Sequence, residues 1–593
     1  SYVWHEIRLE TTQLFLFLTG LIPHLNLSEK SVRFVGSFPS LRCVHSSVFL
    51  GIRRTSKMSN PVVEVREGKI RGFTAKNVDG GEYLAFRGIP YAEPPIGNLR
   101  FKDPRPPRAW SGVRDAGDVY PKCAQSNITS GLRSGSEDCL YLYVATNSLI
   151  GKRPVMVWIH GGGFNSGSAS SDFHGPDYLI KHDIVFVGIT YRLGCFGFLN
   201  LDLPDASGNQ ALKDQVAALR WVRENVGAFG GDPGNVTIFG HSAGSASVHL
   251  LTLSPLAKGL FHKAILQSTV ACNPWVIDPE PVKTGLKLAE EAKKKTNDRV
   301  EALKYLMTLS TTELIDAQER MDDPNVRIQI TNSLRFLFSP SIDVRSDEPF
   351  MPESPIEMIM KHGIDVPVII GYTSEEGIVT MLGPKGPAFR EINLNFSSNL
   401  ARNLRIRAVD ALAKVADTVR NYYFGEYMAW FSQHKNAYAQ LKGDVIIING
   451  VQQLIDVQSE KSTPTYIYRF SYRPSYPTIR KLFKLQIEGS CHCDELGAIF
   501  HSRLLMQNRT HEKGTTDRLV MERLTRMWTD FAKTGNPTPE LDELIPCKWE
   551  PITKDRRNYL DIDDQLTPGV NPDEASWKFW KPILENLQWR FGG

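Results

Sequence analysis

Val236-Thr237-Ile238-Phe239-Gly240-His241-Ser242-Ala243-Gly244 is the stretch on which the reading of this chain turns. An apolar run from Val236 to Phe239 leads into a single Gly-x-Ser-x-Gly pattern, and a helical run from Ala243 towards Leu253 follows at once. In a chain of 593 residues the pattern alone is weak evidence, so its placement between a strand and a helix carries the weight. Small flanking residues let the backbone reverse sharply, and such a turn exposes a Ser hydroxyl above a sheet. The helix N-terminus behind it favours a nearby oxyanion. Ser242 is therefore the candidate nucleophile, with an ordinary Ser in a Gly-rich surface turn as the alternative.

Working outward, Val155–Ile159, Ile184–Ile189, Ala264–Leu266 and Val366–Ile370 are compact, apolar and closed by Gly or polar residues. They read as buried parallel strands. Between the second of these and Val236, Leu212, Val216, Leu219, Val222 and Val226 recur at helical spacing and stop at Gly227 and the Gly230-Gly231-Asp232-Pro233 turn. Strand, helix, strand predicts a parallel α/β sheet. Val62–Phe73 alternates apolar and charged residues about Glu67-Gly68, which predicts a short antiparallel ribbon at the N-terminal edge. Lys287–Lys304 is charge-rich and reads as a solvated helical face. His160-Gly161-Gly162-Gly163-Phe164 follows the Val155–Ile159 strand, at the same sheet edge as Ser242. Backbone N–H groups of Gly162 and Gly163, completed by that of Ala243, are candidate donors to a tetrahedral oxyanion.

Composition narrows the class. Lys plus Arg exceeds Asp plus Glu by 69 − 65 = 4, so nothing points to nucleic acid as a partner. Eight Cys are too sparse for a disulfide scaffold. The longest N-terminal apolar stretch, Leu14–Leu25, is interrupted and shorter than the about 18 residues of a membrane span, so no span is expected. The chain opens on Ser1, whereas Met58 precedes patterned sequence. Residues 1–57 are accordingly expected to be an extension upstream of the true start, and residues 58–593 a single domain. A start at Met58 implies a cytoplasmic protein, and an upstream start leaves secretion open. In a secreted chain Asn127, Asn395 and Asn508 could accept glycans, while Asn235 abuts a core strand.

Phe229-Gly230-Gly231-Asp232-Pro233 before Gly240-His241-Ser242-Ala243-Gly244, with Glu137-Asp138-Cys139-Leu140-Tyr141 and Phe86-Arg87-Gly88-Ile89-Pro90-Tyr91 upstream and Trp528-Thr529-Asp530-Phe531 late, resembles the type B carboxylesterase and cholinesterase family. The likeness runs from about Val62 to Leu584 and is strongest to insect general carboxylesterases. It implies the α/β-hydrolase fold: a large, mostly parallel central sheet flanked by helices. It also implies that the acid is Glu376 rather than Glu375, within Gly371-Tyr372-Thr373-Ser374-Glu375-Glu376-Gly377, and that the base is His492, within Gly489-Ser490-Cys491-His492-Cys493-Asp494-Glu495-Leu496. Chain order alone leaves His434, His501 and His511 open.

The same resemblance implies a disulfide between Cys123 and Cys139, the alternative being two reduced thiols in a cytosolic chain. It implies buried structural ion pairs of Arg100 with Glu137 and of Arg192 with Asp214, and Ser268 as a hydroxyl behind the His. Trp275, Leu334 and Phe336 are implied on the acyl side, or else are plain core. Tyr143 departs from the small polar residue usual in that signature. Residues 124–138 contain no aromatic and His241 replaces an acidic residue, so a platform for quaternary ammonium is missing. Gln usually occupies the position of His241 in juvenile hormone esterases, which weakens that reading too.

What remains is hydrolysis of small to medium carboxylic esters through an acyl-enzyme, with broad, xenobiotic-type specificity and organophosphates as covalent inhibitors. The alternatives are a slow-turnover sequestering esterase and a non-catalytic adhesion protein of the same fold. No cofactor is expected. Cys491-His492-Cys493 invites a metal reading, but adjacent side chains of extended backbone diverge and are not expected to share an ion.

Overall fold

Alternate residues of Arg153–Ile159 face opposite layers, with Val155, Val157 and Ile159 in one apolar cluster and Met156 and Trp158 in another. Gly231–His241 divides in the same way, Val236 and Ile238 on one side and Phe239 on the other. Side chains alternate along a strand, and burial on both faces is what a central parallel strand requires. The computed structural model describes residues 60–117, 120–126, 133–321, 337–382, 396–397, 400, 409–425, 431–482, 484–506 and 509–586. The expected extension, 1–57, lies outside them, as do Leu334, Phe336, Asn127, Asn395 and Asn508.

Among the described residues, eleven strands form one sheet. Its central seven are parallel, in the order Asn558–Ile562, Thr465–Phe470, Val368–Thr373, Lys263–Gln267, Gly231–His241, Arg153–Ile159 and Val185–Ile189. Antiparallel strands close both ends: Leu566–Val570 on one side, and Tyr141–Thr146, Glu82–Pro90 and Phe73–Lys76 on the other. This is the α/β-hydrolase architecture. The N-terminal ribbon is present as Val62–Val65 against Gly68–Arg71, and Val113–Asp115 extends it in parallel. Phe73 belongs instead to the main sheet.

The helix Gln210–Asn225 buries Leu212, Val216, Leu219 and Val222 in the larger cluster, and a tighter turn, Val226–Phe229, ends it at Gly230 with φ 73°. Lys287–Lys304 departs from the single helical face expected. Pro281–Glu291 and Arg299–Thr308 are separate helices, because Lys293 takes φ 75° and the Asp298 side chain accepts the N–H groups of Val300 and Glu301 to start the second. An N-cap of this kind is worth about 1 kcal/mol. The charges themselves are solvated, Lys295 being 89% exposed.

Cys123 and Cys139 are joined by a disulfide, with Cα atoms 4.9 Å apart. Arg192 and Asp214 form a two-pronged pair at 2.8 and 2.7 Å with both groups buried, and Arg100 meets Glu137 at 2.6 Å. Removing one partner of the buried Arg192 pair would strand a charge, a cost of about 3–5 kcal/mol. Tyr143 is wholly buried, its ring 6.0 Å from that of Phe186 and under the Arg87 guanidinium, so the larger residue is absorbed by aromatic packing. Among the described residues no helix is long and apolar enough to cross a membrane.

Candidate active site

Ser242 sits at φ 55° and ψ −126°, outside the regions L-residues favour, between the strand Gly231–His241 and the helix Ala243–Leu253. Such backbone costs about 1–3 kcal/mol and persists only where the surroundings impose it. Here they do. A Cβ on Gly240 would lie 2.5 Å from the carbonyl oxygen of Gly244, and one on Gly244 would lie 2.1 Å from that of Ile159, so both positions need glycine. The Ser242 N–H donates to Gln267 O at 2.9 Å. Residues 236–241 and 243–251 are buried, whereas Ser242 is half-buried: the turn lifts this one side chain out of the core.

The glycine loop packs on that turn. A Cβ at Gly161 would meet His241 O at 2.6 Å and Ser242 Cβ at 3.1 Å. Gly161 O contacts His160 Nδ1 at 2.9 Å, and Gly162 O accepts from the N–H groups of Asn165 and Ser166 at 3.1 and 3.0 Å. In a trans peptide the N–H points opposite to the preceding carbonyl. The N–H groups of Gly162 and Gly163 are therefore turned away from these contacts. Gly162 has φ 124° and Gly163 φ 60°.

Glu376 and His492 arrive from strand ends farther along the sheet. His492 Nδ1 and Glu376 Oε2 are 2.6 Å apart, and Glu376 Oε1 accepts the Thr373 N–H at 2.8 Å. Two further bonds lock the loops together: Glu375 N–H to Ser490 O at 2.9 Å and Ser490 N–H to Ser374 Oγ at 3.0 Å. The His492 ring centroid is 4.4 Å from that of His241, the residue immediately before Ser242. Burial, then Asp444, pushes the neighbouring Glu375 carboxyl up to about 7. His501 pairs with Tyr178 and His511 with Gly497 O, while the His434 ring lies 6.0 Å from Phe424.

A profile described as the carboxylesterase family matches residues 59–580. The chain belongs to the carboxylesterase family. It is an ester hydrolase. This carboxylesterase is 33% identical over 558 residues to the medium-chain fatty acyl-CoA hydrolase precursor of Anas platyrhynchos, covering 90% of this chain and 94% of the relative. It is 32% identical to the juvenile hormone esterase of Tribolium castaneum, covering 85% and 88%, and 33% identical to esterase E4 of Myzus persicae, covering 88% and 94%. The crystal structure of Manduca sexta juvenile hormone esterase with OTFP covalently attached superposes with a TM-score of 0.78 at 28% identity, covering 89% of this chain and all 100% of that one.

Other predicted residues of the carboxylesterase fall in different places. Trp275 is nearly buried, its ring 6.0 Å from that of Phe164 at the end of the glycine loop and its indole N–H on Ile446 O at 3.1 Å. Ser268 is wholly buried at φ 60° and its N–H donates to Gly371 O, while its hydroxyl makes no hydrogen bond. Asn235, at the start of the apolar run, is half-buried, with its amide oxygen on Lys263 Nζ.

Cys493 overturns the expectation drawn from extended backbone. Its φ is 78°, so its sulfur turns back, and it shares with His492 and His241 a set of ligand atoms all within 4.8 Å of one another. Glu495 is a neighbour that sequence reading did not single out. Its Oε1 lies 3.7 Å from His241 Nε2, and burial, then Glu376, pushes its carboxyl up to about 8. Burial, then the neighbouring His492, holds His241 well below the ordinary imidazole value. The position of Glu495 inside the quoted His492 motif was the one available signal.

Proposed function

We propose that this carboxylesterase works through an acyl-enzyme, with Ser242 as nucleophile, His492 as general base and acid, and Glu376 as the group that sets the imidazole tautomer. His492 removes the Ser242 proton as the hydroxyl oxygen attacks the ester carbonyl. The N–H groups of Gly162, Gly163 and Ala243 hold the oxyanion, and the alcohol departs with the proton His492 returns. Water then repeats the cycle on the acyl-enzyme. The Glu376 carboxylate orients the imidazole and stabilises the imidazolium that forms. The observation that carries this reading is the 2.6 Å contact of His492 Nδ1 with Glu376, made by a ring whose centroid lies 4.4 Å from that of His241, the residue before Ser242.

The substrates proposed are small to medium carboxylic esters accepted broadly. The aromatic pair Trp275 and Phe164, rings 6.0 Å apart at the end of the glycine loop, and an imidazole before the nucleophile that burial holds well below its ordinary value support apolar rather than cationic substrates. Apolar pockets discriminate weakly, roughly 10–200-fold per methylene. The names of the relatives, which span a fatty acyl-CoA and a hormone ester, accord with such breadth.

A fluorophosphonate should label one site per chain, and a nitrophenyl ester should be turned over steadily after any burst. A single burst without steady turnover would instead mark a sequestering esterase, and no labelling at all would defeat the nucleophile assignment. Gly162→Ala is expected to lower kcat by about 10²–10³, the worth of one oxyanion donor. Its Cβ would lie 2.0 Å from Ser166 O, so the loop must shift and the donor with it. A variant with unchanged kcat would remove Gly162 from the oxyanion site.

A further inference from the structure

Beside the proposed catalytic base, His241, His492 and Cys493 present two imidazoles and a thiol whose ligand atoms all lie within 4.8 Å of one another. Cys493 Sγ and His241 Nδ1 are 3.9 Å apart. Two ligands on one tetrahedral zinc, with bonds of about 2.1 Å to nitrogen and 2.3 Å to sulfur, stand about 3.6 Å apart. Movements of a few tenths of an ångström to about 1 Å would therefore close the set on an ion.

The surroundings match a metal site as well as the ligands do. A metal-bound histidine characteristically has its other nitrogen directed at a carboxylate or carbonyl. His492 has that arrangement, its Nδ1 on Glu376 Oε2 at 2.6 Å, and His241 Nε2 has Glu495 Oε1 nearby at 3.7 Å, beyond hydrogen-bond reach. His241 is 2% exposed and its Nε2 makes no hydrogen bond, and Glu495 Oε2 is likewise buried without a partner. Cys493 is half-buried and reaches the cluster through a left-handed backbone that a side chain seldom adopts.

We propose that His241 Nδ1, His492 Nε2 and Cys493 Sγ form an inhibitory site for a thiophilic divalent cation of the zinc class. Binding forms one metal–sulfur and two metal–nitrogen bonds, the thiol proton passes to solvent, and no electron is transferred. The ion occupies the imidazole nitrogen that must take the Ser242 proton, so hydrolysis stops until the ion leaves. Thiolate with imidazole selects zinc-like ions over magnesium or calcium, which prefer oxygen ligands. The inhibitory consequence rests on the assignment of His492 as base, whereas occupation of the site does not.

The test uses the full chain freed of metal with a chelator and titrated with Zn²⁺ during nitrophenyl ester hydrolysis, and separately with Co²⁺ in the absence of substrate. Zn²⁺ should inhibit reversibly, with EDTA restoring the rate and Mg²⁺ having no effect. Co²⁺ should produce the near-ultraviolet absorption of a cobalt–thiolate bond. Cys493→Gly suits a φ of 78°, so it should fold and keep its basal rate. It should lose the cobalt band and raise the inhibitory Zn²⁺ concentration about 100-fold, at least the effect of losing an outer partner of a metal ligand. Equal inhibition of both proteins, or no cobalt–thiolate band in the parent, would overturn the site. A parent that shows the band yet hydrolyses no ester would retain the site and refute the catalytic assignment instead.

Discussion

Ser242→Ala is expected to lower kcat for a nitrophenyl ester roughly a millionfold, the scale seen when the nucleophile of a serine hydrolase is deleted. The residual rate should come from the glycine loop and substrate binding, which act without the hydroxyl. Folding should be unaffected. Alanine meets the same backbone strain at φ 55° as serine, and the fixed contacts of position 242 are its N–H to Gln267 O and its carbonyl to the Ala246 N–H, neither of which uses the side chain. The decisive measurement is kcat together with fluorophosphonate labelling at an unchanged melting temperature. A variant that keeps labelling would place the nucleophile elsewhere.

Glu376→Gln is expected to lower kcat about 10⁴-fold, because an amide facing Nδ1 favours the tautomer whose proton sits on the wrong nitrogen and cannot stabilise an imidazolium. Gln matches Glu in shape, so the bond from the Thr373 N–H to Oε1 can persist and the loss should fall on catalysis rather than on the fold. Glu375→Gln is the companion measurement. Its carboxyl is held up to about 7 by burial and does not touch His492, so a neutral amide there should leave kcat within a few-fold of the parent. If the two variants exchanged their effects, the acid would be Glu375. If neither slowed hydrolysis, His492 would not be the base.

Much of the architecture was legible because burial on both faces of a parallel strand leaves short, uniformly apolar runs that stand out in the sequence. Val155–Ile159 and Val236–Phe239 were found in this way within a few residues of their structural limits, Arg153–Ile159 and Gly231–His241. Lys287–Lys304 reads as a solvated helical face and is solvated, but it is divided between two helices because a positive φ at Lys293 and a side-chain cap at Asp298 leave little trace in helical propensity. Cys493 was misread for a similar reason: the extended geometry assumed for neighbours of His492 fails where one residue turns left-handed. The resemblance implies a Ser268 hydroxyl behind the imidazole, and in the structure that hydroxyl is buried and makes no hydrogen bond.

What the sequence by itself determined is local: the strand, the glycine-framed turn and the helix around Ser242, and the Gly161-Gly162-Gly163 loop at the end of the preceding strand in the sheet. These follow from apolar patterning and from backbone conformations that glycine permits. The tertiary structure alone decided which distant groups meet. Residues 242, 376 and 492 are separated by more than a hundred positions at each step, and the pairing of Lys263–Gln267 with Gly231–His241 and Val368–Thr373, with the bonds of Ser490 to Ser374 and Glu375, accompanies the meeting of Glu376 with His492 and of His492 with His241. Side-chain contact depends on sheet order and loop closure, which are properties of the packed chain and leave no local mark on any one of those residues.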